Sequence, residues 1–143
     1  MKIINDKDKG AIEERLRELD KPIRLAFFTQ ELECQFCKET HWLLEDLASL
    51  SSKITLDVHN FQIDKEKARS FQIDKIPAIA ILGDGSKDHG IRFYGIPSGY
   101  EFATLLDGMI AVSTENSGLS PATRDRLKEV KTPLHLQIFV TPT

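Results

Sequence analysis

Ile23-Arg24-Leu25-Ala26-Phe27-Phe28-Thr29, followed by the loop 30–33 and then Cys34-Gln35-Phe36-Cys37, is the stretch that decides how this chain folds. This mostly apolar run of seven residues, preceded by Pro22 and followed by Gln30, reads as a buried β-strand. What comes after the second cysteine reads as a helix, with Trp42, Leu43, Leu47 and Leu50 on its inward face, Leu44 at the edge and Ser51-Ser52 at its end. The spacing therefore places two thiols on a loop that leaves a strand and enters a helix.

Cys34 and Cys37 are the only cysteines of the chain. Two thiols at this spacing on a helix start can close a small disulfide ring, and the first sulfur would sit among unpaired backbone N–H groups that favour its thiolate. A dithiol/disulfide centre is the leading reading. The competing one is a pair of buried core cysteines, because free Cys is among the most buried residue types. In a redox cycle Cys34, at the end of the loop, would be the attacking sulfur, and Cys37, a turn inside, the resolving one. A mixed disulfide would form through Cys34 and be displaced by Cys37, its direction set by the potentials of the two couples. Glu31 and Glu33 act to raise the thiol pKa, whereas Lys38 and the helix end act to lower it.

His41 follows Cys37 by four residues, on the same helix face, where it could move protons or bind a metal; the plainer reading is a surface histidine on a polar edge. A structural zinc site needs about four ligands. Beyond Cys34, Cys37 and His41 only His59, His89 and His135 remain, none at a second motif spacing, so such a site is not expected within one chain. An iron–sulfur cluster shared by two chains through Cys34 stays open.

Bulk properties narrow the function class. At 143 residues there is room for one ordinary domain and a short appendage. Nineteen Lys and Arg against 22 Asp and Glu give a net charge of −3 with no basic block interleaved with aromatics, which argues against nucleic-acid binding. The apolar stretches fall well short of about 18 residues and the N-terminus is polar, so neither a membrane span nor a secretory leader is expected, and the cytoplasm is the default location. There, two close cysteines suit a cycling pair or a metal site better than a structural disulfide.

Outward from the thiols, hydrophobic spacing predicts a helix over 10–19, a strand over 54–61 with Ile54, Leu56 and Val58 inward, and a short charged helix over 65–71. Strands follow over 77–82 and 91–94, joined through Gly83-Asp84-Gly85-Ser86. Ser98 with Glu101 forms a capping box opening a helix through Phe102, Leu105, Leu106, Met109 and Ile110. This order predicts an α/β domain: a mixed four-stranded sheet flanked by helices on both faces, built from a βαβ unit and a hairpin. Ile76-Pro77 opens the third strand, where proline removes a ladder donor; a cis bond beside the dithiol would leave backbone groups free to pair with an extended substrate segment.

Residues 1–113 make up this unit. Residues 114–143 read as a linker, a helix starting at Ser120-Pro121 and an apolar strand over 134–140. Placing Pro22 over Pro133 aligns Ile23-Arg24-Leu25-Ala26-Phe27-Phe28 with Leu134-His135-Leu136-Gln137-Ile138-Phe139, as though a second copy of the opening began there. An apolar strand left without a partner invites association, so dimers through 121–143 are predicted.

The CxxC between first strand and helix, Ile76-Pro77 about 40 residues on and the Gly-rich hairpin resemble the thioredoxin and glutaredoxin superfamily. With Ile91-Arg92-Phe93-Tyr94-Gly95-Ile96-Pro97-Ser98-Gly99-Tyr100-Glu101-Phe102 and Phe139-Val140-Thr141-Pro142-Thr143, the whole chain resembles the glutaredoxin-like protein disulfide oxidoreductases of thermophiles, which carry two tandem thioredoxin-like units. The resemblance implies a thioredoxin-like fold, Cys34 as nucleophile, Cys37 as resolving thiol, and Ile76 and Pro77 as a cis-proline substrate site. It implies a first unit followed by the opening of a second. It implies no cofactor other than a redox-active Cys34–Cys37 disulfide, and as partners protein or small-molecule disulfides and thiols with an electron donor of thioredoxin-reductase type. A thermophilic source would fit an intracellular disulfide. Two departures stand out: Gln35-Phe36 replaces the Gly-Pro or Pro-Tyr of relatives, and the acid that thioredoxins bury in the preceding strand has no counterpart in Leu25, Ala26, Phe27 and Phe28. Two other readings follow from the same residues: a redox-inert thioredoxin-like module that docks peptides, and a glutaredoxin-like scaffold for a metal or an iron–sulfur cluster.

Overall fold

The computed structural model describes residues 2–141; Pro142 and Thr143, which close the 139–143 motif, lie outside the described residues. The elements are α1 (Asp6–Leu16), β1 (Ile23–Thr29), α2 (Cys37–Ser49), β2 (Ile54–Asn60), α3 (Lys65–Ser70), β3 (Ala78–Leu82), β4 (Asp88–Tyr94), α4 (Tyr100–Thr114) and α5 (Pro121–Leu127). A 3-10 turn over Asp84–Ser86 joins β3 to β4. The sheet has the order β2-β1-β3-β4, with β1 parallel to β2 and antiparallel to β3, and β3 antiparallel to β4. The α/β class and the mixed four-stranded sheet expected from the βαβ and hairpin patterns are both present. The fold is thioredoxin-like.

Alternation along the central strands builds two cores. Ile23, Leu25 and Phe27 of β1, with Ile79 and Ile81 of β3, meet Leu16 of α1, Leu44 and Leu47 of α2, and Leu105 and Met109 of α4. Ala26 and Phe28, with Ala78, Ala80 and Leu82, face the other way onto Ala68 and Ile73. Three alanines on that second face keep it shallow, so the six-residue α3 suffices to cover it. Each large side chain buried in this way, such as Phe27, stabilises the fold by about 1.5–3 kcal/mol.

The structure shifts several sequence boundaries. Helix α1 begins at Asp6, not residue 10, because Asn5 caps it by accepting the Asp8 N–H at 2.9 Å. Helix α4 begins at Tyr100 behind Gly99, whose φ of 60° suits glycine, so Ser98 is not its cap and the Ser98–Glu101 box is one residue out of frame. Val58 is 44% exposed although its alternation is inward, because β2 is an edge strand. Over 134–140 no strand forms, and Leu136, Ile138 and Phe139 are exposed; strand geometry needs a ladder partner, and among the described residues none is offered. At the far end of α4, the buried Ser113 hydroxyl accepts the Asp20 N–H at 2.8 Å and donates to the Lys21 carbonyl at 2.6 Å, tying the α1–β1 turn to the helix end. Among the described residues no helix is long and apolar enough to cross a membrane.

Candidate active site

Strand polarity collects the 30–36, 61–64, 71–77 and 95–99 connections at one end of the sheet, where β1, β2 and β4 finish and β3 starts. Cys34 and Cys37 are joined there by a disulfide with a Cα–Cα distance of 5.5 Å, within the ordinary range. Cys37 is the first helical residue, so the helix starts later than the thiol motif suggests and Cys34 stands just ahead of it. The order of exposure is as read from sequence: Cys34 is half-buried, while Cys37 is 2% exposed. A thiolate at Cys34 would still lie at a helix N-terminus whose first N–H groups lack intrahelical partners.

The turn between the sulfurs is held from inside. The Phe36 carbonyl accepts the Thr40 N–H at 3.0 Å and the buried Thr40 hydroxyl at 2.6 Å. That fixes Phe36 as the residue before the helix with its ring 40% exposed beside the disulfide. Ahead of the pair, Glu33 adopts φ 56°, a left-handed conformation that costs a residue with a Cβ about 1–2 kcal/mol. Glu31 and Glu33 are exposed, and the Lys38 ammonium sits 4.8 Å over the Trp42 ring.

The Ile76–Pro77 bond is cis. The register pairs Phe28 with Ala78, so Pro77 comes one step further, level with Thr29 at the end from which the 30–33 loop departs. The Pro77 carbonyl accepts the Gly95 N–H at 2.9 Å. Ile76 is half-buried, and among the described residues no hydrogen bond engages its N–H or C=O.

His41 and His59, the histidines nearest in sequence to the thiols, are separated by the sheet. His41 packs on Phe27, ring centres 5.6 Å apart, with Nε2 3.5 Å from Glu45 Oε1; His59 packs on Phe28 at 5.0 Å on the other face. Among the described residues no group of three or more His, Cys, Asp or Glu side chains is clustered as metal ligands would be.

Sequence reasoning missed the apolar rim of this end. Leu32, Phe36, Ile63, Tyr94 and Tyr100 are all exposed there, and large apolar residues in loops and at element ends were the available signal. It also missed Glu101, near the start of α4, whose carboxyl is pushed up by burial.

Two solved structures and one curated relative stand close to this chain. The alkylhydroperoxide reductase AhpF of Enterococcus faecalis superposes with a TM-score of 0.80 at 24% identity, over 90% of this chain and 61% of that one. A protein disulfide oxidoreductase from Aeropyrum pernix superposes with a TM-score of 0.79 at 26% identity, over 89% of this chain and 55% of that one. In sequence, an NADH dehydrogenase of Bacillus subtilis is 26% identical over 101 residues, which is 71% of this chain and 17% of the relative. The chain thus spans about a sixth of that relative's length. No family model matches it.

Proposed function

We infer that this chain, a thioredoxin-fold unit matching those of the tandem protein disulfide oxidoreductases, is a thiol–disulfide oxidoreductase that works through Cys34 and Cys37. The observation that carries the reading is the bonded pair itself: one sulfur half-exposed, its partner buried, at the head of a helix. In the reducing direction the Cys34 thiolate attacks a substrate disulfide, forming one S–S bond and releasing one thiolate. Cys37 then attacks Cys34, restores the intramolecular disulfide and releases the second thiol. Two electrons leave the dithiol and reduce the substrate. The opposite direction uses the same steps reversed.

Ile76 and Pro77 serve as the substrate-binding element in this reading. Support comes from the unengaged Ile76 backbone at the disulfide end and from the exposed apolar side chains around it, which suit an extended, partly apolar protein segment. Electrons would come from a reductase, a role supported by the name and the much greater length of the NADH dehydrogenase relative. Residues 114–143 open a second unit in the same reading, on the strength of the Pro22/Pro133 alignment and of Ser120, which caps α5 as the sequence predicts. The site of action is the cytoplasm.

Insulin reduction with dithiothreitol tests the assignment. Cys34→Ser should fall to the uncatalysed rate, while Cys37→Ser should accumulate a mixed disulfide visible by mass. Equal turnover by wild type and Cys34→Ser would overturn it.

A further inference from the structure

Resolution of the mixed disulfide requires Cys37, 2% exposed, to lose its proton, and β1 beneath it offers no acid or base, since Leu25, Ala26, Phe27 and Phe28 are apolar and buried. We propose that His41 takes that proton. The proposal rests on the dithiol reading above and adds a proton path to it. His41 lies one helical turn after Cys37, and side chains four apart on a helix are neighbours, about 5–6 Å between Cβ atoms. Helical side chains lean towards the N-terminus, which directs His41 towards the turn that carries Cys37. It is held there by Phe27 beneath and Glu45 behind, yet the side chain remains 36% exposed and can pass a proton to water.

The charged surroundings leave this role to His41. On its own helix the ring meets Glu45, and Lys38 is turned over Trp42. Glu39, two residues from Cys37, has Oε2 buried without a hydrogen-bond partner among the described residues but projects from the opposite flank of the helix, and Asp46 accepts the N–H groups of Ile3 and Ile4. The strands packed against α2 present Ile23, Leu25 and Phe27 of β1 and Ile54, Leu56, Val58 and Asn60 of β2 on this face, none of them titratable; Asp57 and His59 point to the other.

The step balances. The Cys37 thiol gives its proton to His41, and its sulfur attacks Cys34. The Cys34–substrate S–S bond breaks with its electron pair on the departing sulfur, and the imidazolium returns the proton to that thiolate or to water.

Reaction of the reduced protein with 5,5′-dithiobis(2-nitrobenzoate) separates the stages, because Cys34 attack releases one coloured thiolate and resolution by Cys37 releases a second. His41→Gln should slow the second phase at least about tenfold at pH 7 with the first phase unchanged, and imidazole added to the buffer should restore part of the loss. Glu45→Lys, which keeps the imidazole, should slow the second phase far less than His41→Gln does. A wild-type second phase in His41→Gln, an equal slowing of both phases, or no response of His41→Gln to imidazole would overturn the proposal. Absence of both phases in the wild type would instead remove the dithiol reading beneath it.

Discussion

Asp88 and Arg92 illustrate what single residues add to this fold. Arg92 donates to Asp88 Oδ1 at 2.9 Å and Oδ2 at 2.7 Å, gives its Nε–H to the Phe71 carbonyl at 3.1 Å, and stacks 5.6 Å from the Phe71 ring. It thereby fastens β4 to the segment after α3. Hydrogen bonding by Arg92 holds the Asp88 carboxyl below its ordinary range, with the Gly90 N–H assisting. The stability this contributes is fully present above the unfolded carboxyl's range, about pH 3.9, and is lost as pH falls through the lowered folded value. Asp88→Asn should therefore weaken the fold at pH 7, by under about 1 kcal/mol for so solvent-screened a pair, and make no difference in strong acid. Urea unfolding at both pH values checks this. Nothing in the sequence announced the pair as such: Arg92 stood within a motif read for its resemblance, and its partners are the first residue of its own strand and the residue that closes α3. The thiols were legible because their chemistry needs only spacing and a helix start. The exposure of Phe36, Tyr94 and Tyr100 at that end was not, because the ends of separate elements are brought together only by topology.

At the scale of elements, α4 approaches the sheet through Gly108, where an added Cβ would lie 3.2 Å from Ile81 Cδ1 and 4.0 Å from Phe93 Cε2. Gly108→Leu should force the helix outward and cost about 1–3 kcal/mol, measured as a lowered urea midpoint at unchanged slope. Gly108→Ala should stay near neutral, the tight contact with a terminal methyl offsetting a helix-propensity gain of about 1 kcal/mol. The inner strands were read closely from sequence because burial leaves a plain period, and β1 and β3 match their expected spans to within a residue, whereas β4 begins at Asp88, three residues before the expected start, because its first three residues are exposed and carry no apolar signal. Helix starts were read less well. They depend on which polar side chain reaches a free N–H, and Asn5 and Gly99 prevailed over the candidates that apolar periodicity favoured.

Across the whole molecule, the sheet and four helices enclose their cores, whereas 134–140 holds Leu134, Leu136, Ile138, Phe139 and Val140 in solvent. Strand character is a property of a pair, so the apolar pattern of this segment was visible in sequence while its conformation was not. Leu136→Lys combined with Ile138→Lys should lower any self-association of the chain, read as a smaller mass by light scattering, with disulfide exchange unchanged. Ser113 sets a contrast with the sulfur-bearing end. Its two hydrogen bonds act as a bolt at the opposite pole, so loosening of the thiol loop during turnover need not propagate down α4: the chain can flex where it meets substrate while its base stays clamped.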